Sequence, residues 1–207
     1  MLPTARGSYS SVPWYGPSVH DVPVFDRFAP IYDLLAPSTE AEPLEDGLTL
    51  AERQVEQVVD LGGGTGRAAR ALDRDMLVVD ASVKMLEKAA DKGLRTVRSD
   101  VRHLPFADVT VDAVVSVDAI HHFPDPPAVV EEVYRALDVG GVFVAREFDP
   151  TTVRGMALRV GQHVVGFDCT FYTPGGLRSV FEHAGFETTV TERGFVYTVV
   201  GVKPGKR

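Results

Sequence analysis

The sequence predicts an α/β protein whose largely parallel sheet is covered by helices on both faces and closed by an antiparallel hairpin. Three observations carry that expectation. Short, nearly continuous apolar runs alternate with helical patterns, which is how strands buried on both faces are spelled. A glycine-rich turn follows directly after the first such run. Near the other end, two runs flank Glu192-Arg193-Gly194, a connection too short for anything but a hairpin.

Taken in order, residues 1–24 are rich in Pro, Gly, Ser and aromatics and show no period, so they read as an irregular arm. Residues 25–36 place Phe25, Phe28, Tyr32 and Leu35 at helical spacing, with Pro30 dividing two short helices. A polar, acidic link over 37–48 leads to a short helix around 49–55. Gln57–Leu61 is the first strand, and Arg67–Asp73 begins a helix. Met76–Asp80 is the second strand; Ser82 can cap the helix Val83–Asp91 that follows. Leu94–Arg98 and Asp112–Val117 are the third and fourth strands. A helix from about Pro127 to Leu137 precedes Gly140-Gly141 and a fifth strand, Val142–Phe148. Thr173–Ala184 reads as a helix stopped by Gly185, before the strands Phe186–Thr191 and Phe195–Val202.

At 207 residues the chain fits one domain, divided into an arm or lid (1–36), a cofactor-binding half (50–150) and an acceptor side with the hairpin (151–207). Its 44% hydrophobic and 24% charged residues are ordinary for a globular protein, and no apolar run reaches membrane-spanning length. Cys169 is the only cysteine, so no intramolecular disulfide forms and a cysteine-based zinc site is not expected; no metal is. The first residues lack the apolar stretch of a secretion signal, which makes the cytoplasm the expected compartment. A net charge of −8 argues against nucleic acid as a partner, because phosphate binding needs a basic face.

The chemistry is carried by Val58-Val-Asp-Leu-Gly-Gly-Gly-Thr-Gly-Arg67. A dinucleotide fingerprint needs glycine at the first, third and sixth positions, and Arg67 occupies the sixth. A phosphate loop fails too, since no Gly-Lys-Ser/Thr follows. Asp60, two residues before Gly62, would repel a pyrophosphate and favour a ligand bearing positive charge. S-adenosylmethionine has an ammonium, a sulfonium and no phosphate. Gly62 and Gly64 then let the backbone approach it closely. Asp80 ends the second strand 20 residues after Asp60, where an acid can accept both ribose hydroxyls, a geometry shared with NAD. Taken singly, either aspartate could instead be a loop or helix cap.

With these motifs the chain resembles the class I S-adenosylmethionine-dependent methyltransferases, in the branch of small-molecule enzymes that includes ubiquinone/menaquinone C-methyltransferases. The resemblance spans residues 25–202. Ser99-Asp-Val101 with Leu104-Pro-Phe106 looks like the family's adenine turn, and Ile120-His-His-Phe-Pro-Asp125 like the segment after its fourth strand. Tyr134-Arg-Ala-Leu-Asp-Val-Gly-Gly141 resembles the turn before its fifth strand. The family implies a Rossmann-like, seven-stranded sheet in the order 3-2-1-4-5-7-6 with the last strand antiparallel. It also implies a cofactor site of Tyr32, Asp60, Gly62, Gly63, Gly64, Gly66, Asp80, Ala81, Met85, Asp100, Val101 and Asp118. Asp138-Val139 departs from the family's usual Lys-Pro, away from the chemistry.

The expected function is methyl transfer to a small, aromatic or quinone-like acceptor. His121 and His122, on the loop after the fourth strand, are the candidate bases for removing an acceptor proton; structural hydrogen bonding is the competing account. Arg146 and Glu147 point towards the acceptor side, or form an ion pair to a helix. Trp14 and Tyr15 line the acceptor pocket or merely dock the arm. Two other functions stay open: a catalytically silent S-adenosylmethionine-binding module acting through protein partners, and a nicotinamide oxidoreductase.

Overall fold

The computed structural model describes residues 21–36, 38–191 and 194–205. The expected placements of Trp14 and Tyr15 lie outside them. Two short helices open the described chain, α1 (Val22–Phe28) and α2 (Tyr32–Leu35), split at Pro30 as the ring of proline dictates. Then follow α3 (Glu42–Leu48), β1 (Val58–Leu61), α4 (Arg67–Leu72), β2 (Met76–Asp80), α5 (Val83–Asp91), β3 (Arg95–Arg98) and β4 (Val111–Val117). A single 3-10 turn, Ile120–His122, leads to α6 (Pro126–Ala136) and β5 (Leu137–Phe148). The remainder is α7 (Val153–Val165), α8 (Pro174–His183), β6 (Glu187–Thr191) and β7 (Val196–Val202).

The strands form one seven-stranded sheet in the order β3-β2-β1-β4-β5-β7-β6. Pairings from β3 through β5 are parallel, while β7 runs antiparallel to both β5 and β6. Alternation along each strand divides the core. Val59, Val79, Val114, Phe143 and Val199 pack beneath α6 and α8, against Val130, Val133, Leu177 and Phe181. Val58, Val78, Ala113, Val144 and Val200 face the other way, against Leu44, Ala68, Leu72 and Leu86 from α3, α4 and α5. Side-chain caps start the longer helices: Ser82 accepts from the Met85 amide, Thr152 from Gly155 and Thr173 from Gly176.

Three elements differ from expectation. The short helix expected at 49–55 is instead α3, because Leu44 and Leu48 are the apolar pair that reaches the sheet, whereas Leu50 is exposed. β5 begins at Leu137, since Gly140-Gly141 sit within the strand at a register shift against Val111–Ala113 rather than in a turn before it. α7 fills a stretch in which the sequence suggested no element. Its two internal glycines and β-branched valines lower helix propensity, and it buries only Gly155.

Lys203, just past β7, is buried and donates to the carbonyls of Tyr134 (2.7 Å) and Leu137 (2.8 Å) at the end of α6. A cation there satisfies acceptors that the helix leaves open and complements its dipole. Lys203→Met keeps the aliphatic stem but strands both carbonyls. It should cost about 1–3 kcal/mol and lower the Tm by several degrees in thermal unfolding. An unchanged Tm would mean that water replaces the ammonium without loss.

Candidate active site

The order of the sheet reverses between β1 and β4, and the loops leaving their carboxyl ends diverge there. They border an open cleft of about 740 Å³, its solvent mouth included. One wall is the turn after β1, with Asp60, Gly62, Gly63, Gly64 and Arg67. A second carries Asp80, Ala81, Met85 and Val101. The third is Val117, Asp118, Ala119, His122 and Phe123. Asp21, Val22, Phe25 and Tyr32, from the N-terminal helices, complete the lining.

Of the residues expected to form the site, Gly66, Asp100 and His121 do not line this cleft. Gly66 caps α4 in the left-handed region at φ +77°, where a Cβ would also meet Leu94, so turn geometry calls for glycine there. The Asp100 carboxylate is taken by Arg102 in a two-pronged contact, Nε to Oδ1 at 3.0 Å and Nη2 to Oδ2 at 2.6 Å. Gly62 and Gly64 separate as well. A Cβ on Gly62, at φ +65°, would meet Ala119 and Phe123 at 2.9 Å, so backbone conformation and protein packing together explain that glycine. A Cβ on Gly64, at φ +56°, would meet nothing among the described residues closer than Met85 Cε at 3.6 Å; its open side faces the cleft.

Two buried aspartates define the electrostatics. Asp60 Oδ2 accepts from the Ala69 amide at 3.3 Å, while its Oδ1 is buried without a hydrogen-bond partner among the described residues. Burial pushes its pKa up to about 7, with the neighbouring Asp80 charge adding to the effect. Asp80 accepts from the amides of Gly64 (2.9 Å) and Ser82 (2.8 Å), and burial raises its pKa to about 6. Both carboxylates therefore keep lone pairs for a ligand in the cleft. Opposite them, Arg67 pairs with Asp118 at 3.1 Å, and its guanidinium lies 5.5 Å from the centre of the Tyr32 ring. Asp118 holds φ +53°, a conformation rare outside glycine, and its Oδ1 is also buried without a partner among the described residues. The sequence drew attention to Arg67 only as a break in a nucleotide fingerprint.

The two histidines take different places. His121 is buried and stacked on Phe171, and its Nδ1 lies 2.5 Å from Glu147 Oε2. The other Glu147 oxygen accepts from the amides of Ala119 and Ile120, so this one carboxylate fixes the loop after β4. His122 lines the cleft; its Nδ1 lies 2.6 Å from Asp21 Oδ2, and its ring stands edge-on to Phe25. Burial, reinforced by His121, lowers the His122 pKa to about 4, so the ring is neutral at neutral pH. Arg146 instead binds Glu40, away from the cleft, at 2.6 Å. Asp21 and Glu147 orient the histidines, yet only Glu147 stood out in the sequence. Asp21 is separated from His122 by 101 residues, so no local pattern links them.

Cys169 adds a feature that the sequence did not reveal. One donor atom each from His121, His122 and Cys169 lies within 4.8 Å of the others. The Gln162 amide sits among them, 3.3 Å from His121 Nε2 and 3.2 Å from the Cys169 sulfur, which donates to its oxygen.

Comparison with known proteins agrees with this geometry. Residues 59–145 match the family described as a methyltransferase domain. A rice 2-methyl-6-phytyl-1,4-hydroquinone methyltransferase is 38% identical over 95 residues, 42% of this chain and 27% of that protein. A demethylmenaquinone methyltransferase from Thermobifida fusca is 32% identical over 153 residues, 67% of this chain and 65% of that one. This chain thus spans between about a quarter and two thirds of those two relatives. A crystal structure of a SAM-dependent methyltransferase from Thermotoga maritima superposes with a TM-score of 0.75 at 23% identity, covering 89% of this chain and all of that one. Residues 59–145 thus match a methyltransferase domain, and the chain is similar over much of its length to S-adenosylmethionine-dependent methyltransferases.

The Asp60 shift has a measurable sign. In the unfolded chain the group titrates near 3.8, and in the ligand-free folded protein near 7. Between those values the folded state holds the extra proton. Its contribution is therefore full below the lower pKa and is lost as pH rises through the upper one. Asp60→Asn removes that slope. Without ligand, the Tm of the variant relative to wild type should climb from about pH 5 to pH 8, by a few degrees. A difference that stays flat with pH would show that the carboxylate is already ionised and solvated.

Proposed function

We propose that this protein transfers a methyl group from S-adenosylmethionine to a small, aromatic or quinone-like acceptor in the cytoplasm. The observation that carries the reading is the buried, half-partnered carboxylate of Asp60 beside Asp80 in one cleft. A site that buries two acids and presents the open face of Gly64 suits a ligand with an ammonium group and a ribose, and would repel a pyrophosphate. The single cysteine fits a reducing compartment, and the acceptor class follows the relatives whose names specify quinone precursors.

When bound, S-adenosylmethionine supplies a methyl carbon already activated by its sulfonium. Asp60 neutralises the ligand's ammonium, and Asp80 accepts the ribose hydroxyls with the lone pairs its backbone contacts leave free. Ala81, Met85 and Val101 enclose the adenosine, while Tyr32 and Asp118 close the methionine end. Phe25 and Phe123 offer apolar surface to the acceptor and exclude water. His122 is placed to take the acceptor's proton: with Nδ1–H donated to Asp21, Nε2 is the free nitrogen, and the Asp21 carboxylate works against the burial that lowers the ring's pKa. His121 acts one step back, as the ring against which His122 packs (centroids 4.2 Å apart). Residues 1–36 serve as the lid, of which α1 and α2 are the described part.

Calorimetry with S-adenosylmethionine tests the cofactor half of this proposal. Asp80→Ala removes charge-assisted hydrogen bonds of about 1.5–3 kcal/mol, so affinity should fall roughly tenfold or more. Unchanged affinity in a folded variant would remove the ribose assignment. For the acceptor half, a panel of hydroquinones with His122→Asn should retain cofactor binding and lose roughly 100-fold in kcat. Deleting the chain up to residue 37 should leave a folded protein with weakened cofactor binding and no methyl transfer. An unfolded product, or full activity, would show that the segment is not a lid.

A further inference from the structure

α7 is the least buried of the longer helices, and its exposed side is apolar. Val153 and Val164 are each 79% exposed, Val160 is 61% exposed, and Met156 is exposed beside them. At about 100° per residue, Val153, Met156, Ala157, Val160 and Val164 fall within about 60° of one direction. The opposite side carries Gly155, Leu158 and Gln162, and there Gly155 is buried and Gln162 reaches His121 and Cys169. Arg154 and Arg159 lie about 100–120° to either side of the apolar stripe. No Asp or Glu occurs between Val153 and Val165, although the chain as a whole carries a net charge of −8.

An apolar stripe with arginines along both margins is the pattern of a helix lying in a lipid–water interface. There the valines sink below the headgroups, and the guanidinium groups stay level with the phosphates. We propose that α7 docks this protein onto an anionic lipid surface. The charge pattern favours that occupant. A protein partner large enough to cover this stripe would not require arginine on both flanks and no acid, whereas anionic headgroups pair with both arginines at once.

The placement of α7 gives the contact a use. A groove lined by Val160, Val164 and Phe167 on its apolar side, and by Arg159, His163 and Asp168, lies between the exposed stripe and Cys169. Cys169 Sγ lies 3.3 Å from His122 Nδ1, at the edge of the cleft. An acceptor with an apolar tail, held in the lipid layer beneath α7, would thus have its tail against Val160, Val164 and Phe167 and its head near Cys169 and His122. This use rests on the function proposed above; docking itself does not.

The test is co-sedimentation of the full chain with vesicles of phosphatidylcholine alone, and with vesicles that also contain phosphatidylglycerol. The protein should pellet with the anionic vesicles and not with the neutral ones, and high salt should release it. Val160→Glu with Val164→Glu, and separately Arg154→Glu with Arg159→Glu, should each weaken the partition roughly tenfold or more. Both variants should keep wild-type Tm and S-adenosylmethionine affinity, since these side chains point away from the core and the cleft. Three results would each overturn the proposal. Absence from both pellets, or equal presence in both, would deny an anionic lipid site. A marked fall in Tm of the Val160/Val164 variant would show that another part of the chain covers the stripe. A concentration-dependent dimer that this variant abolishes, without vesicle binding, would assign the stripe to a second copy. Cofactor affinity is read in the same samples, so failure of the docking is distinguishable from failure of the methyltransferase reading.

Discussion

The cleft exists because β1 lies between two neighbours reached by crossovers that travel in opposite directions along the sheet. From β1 the chain builds outward through β2 to β3, then returns to lay β4 on the other side. The turn after β1 and the loop after β4 therefore lean apart, and no further strand can fill the space between them. Every polar group in the site depends on that reversal. Asp60 and Gly64 sit on one bank, and Asp118 and His122 sit on the other. The N-terminal helices bridge the opening because nothing in the sheet does. Glu147 holds the second bank in shape, with one carboxylate gripping two amides and a histidine of the β4 loop.

Charge is distributed across the cleft in a way that favours a cationic ligand. Asp60, Asp80 and Asp118 are all deeply placed, and burial raises the pKa of each. Arg67 forms its ion pair with Asp118, on the far bank from the other two. Burying acids without full compensation costs stability, and a ligand with its own cationic groups restores part of that loss. The fold accepts a weaker ligand-free state, and in return binding carries its own selectivity against anions. Packing does the complementary work: Gly62 is required by Ala119 and Phe123, so the two banks fit each other before any ligand arrives.

Much of this was legible in the sequence because the central strands are buried on both faces and are written as nearly continuous apolar runs. A run such as Met76–Val79 needs no partner to be recognised, and the glycine turn announces itself by its spacing. The strand order was legible only through resemblance to a family, since periodicity says nothing about neighbours. What escaped has a common physical cause, which is that the decisive contact is invisible to local pattern. Asp100 reads as a ligand-facing acid until Arg102 is seen to occupy it. His121 and His122 are adjacent in the chain, yet Glu147 turns one inward while Asp21 holds the other at the cleft. α7 escaped for a different reason: its apolar residues face outward, so the pattern that marks a helix by its buried side was absent.

The position of β7 bears on how the molecule is made. The outer edge of β5 is paired to β7 over Val142–Phe148, and β6 lies beyond β7 although it is synthesised first. During translation the half of the sheet through β5 leaves the ribosome with that largely apolar edge unpaired. It stays so until roughly fifty further residues have emerged, because Val142 must await Val202. An open edge of this length is a template for pairing with other chains. Nascent copies would thus be most prone to association during this interval, and helper proteins that shield strand edges would act on it, rather than on the finished cleft.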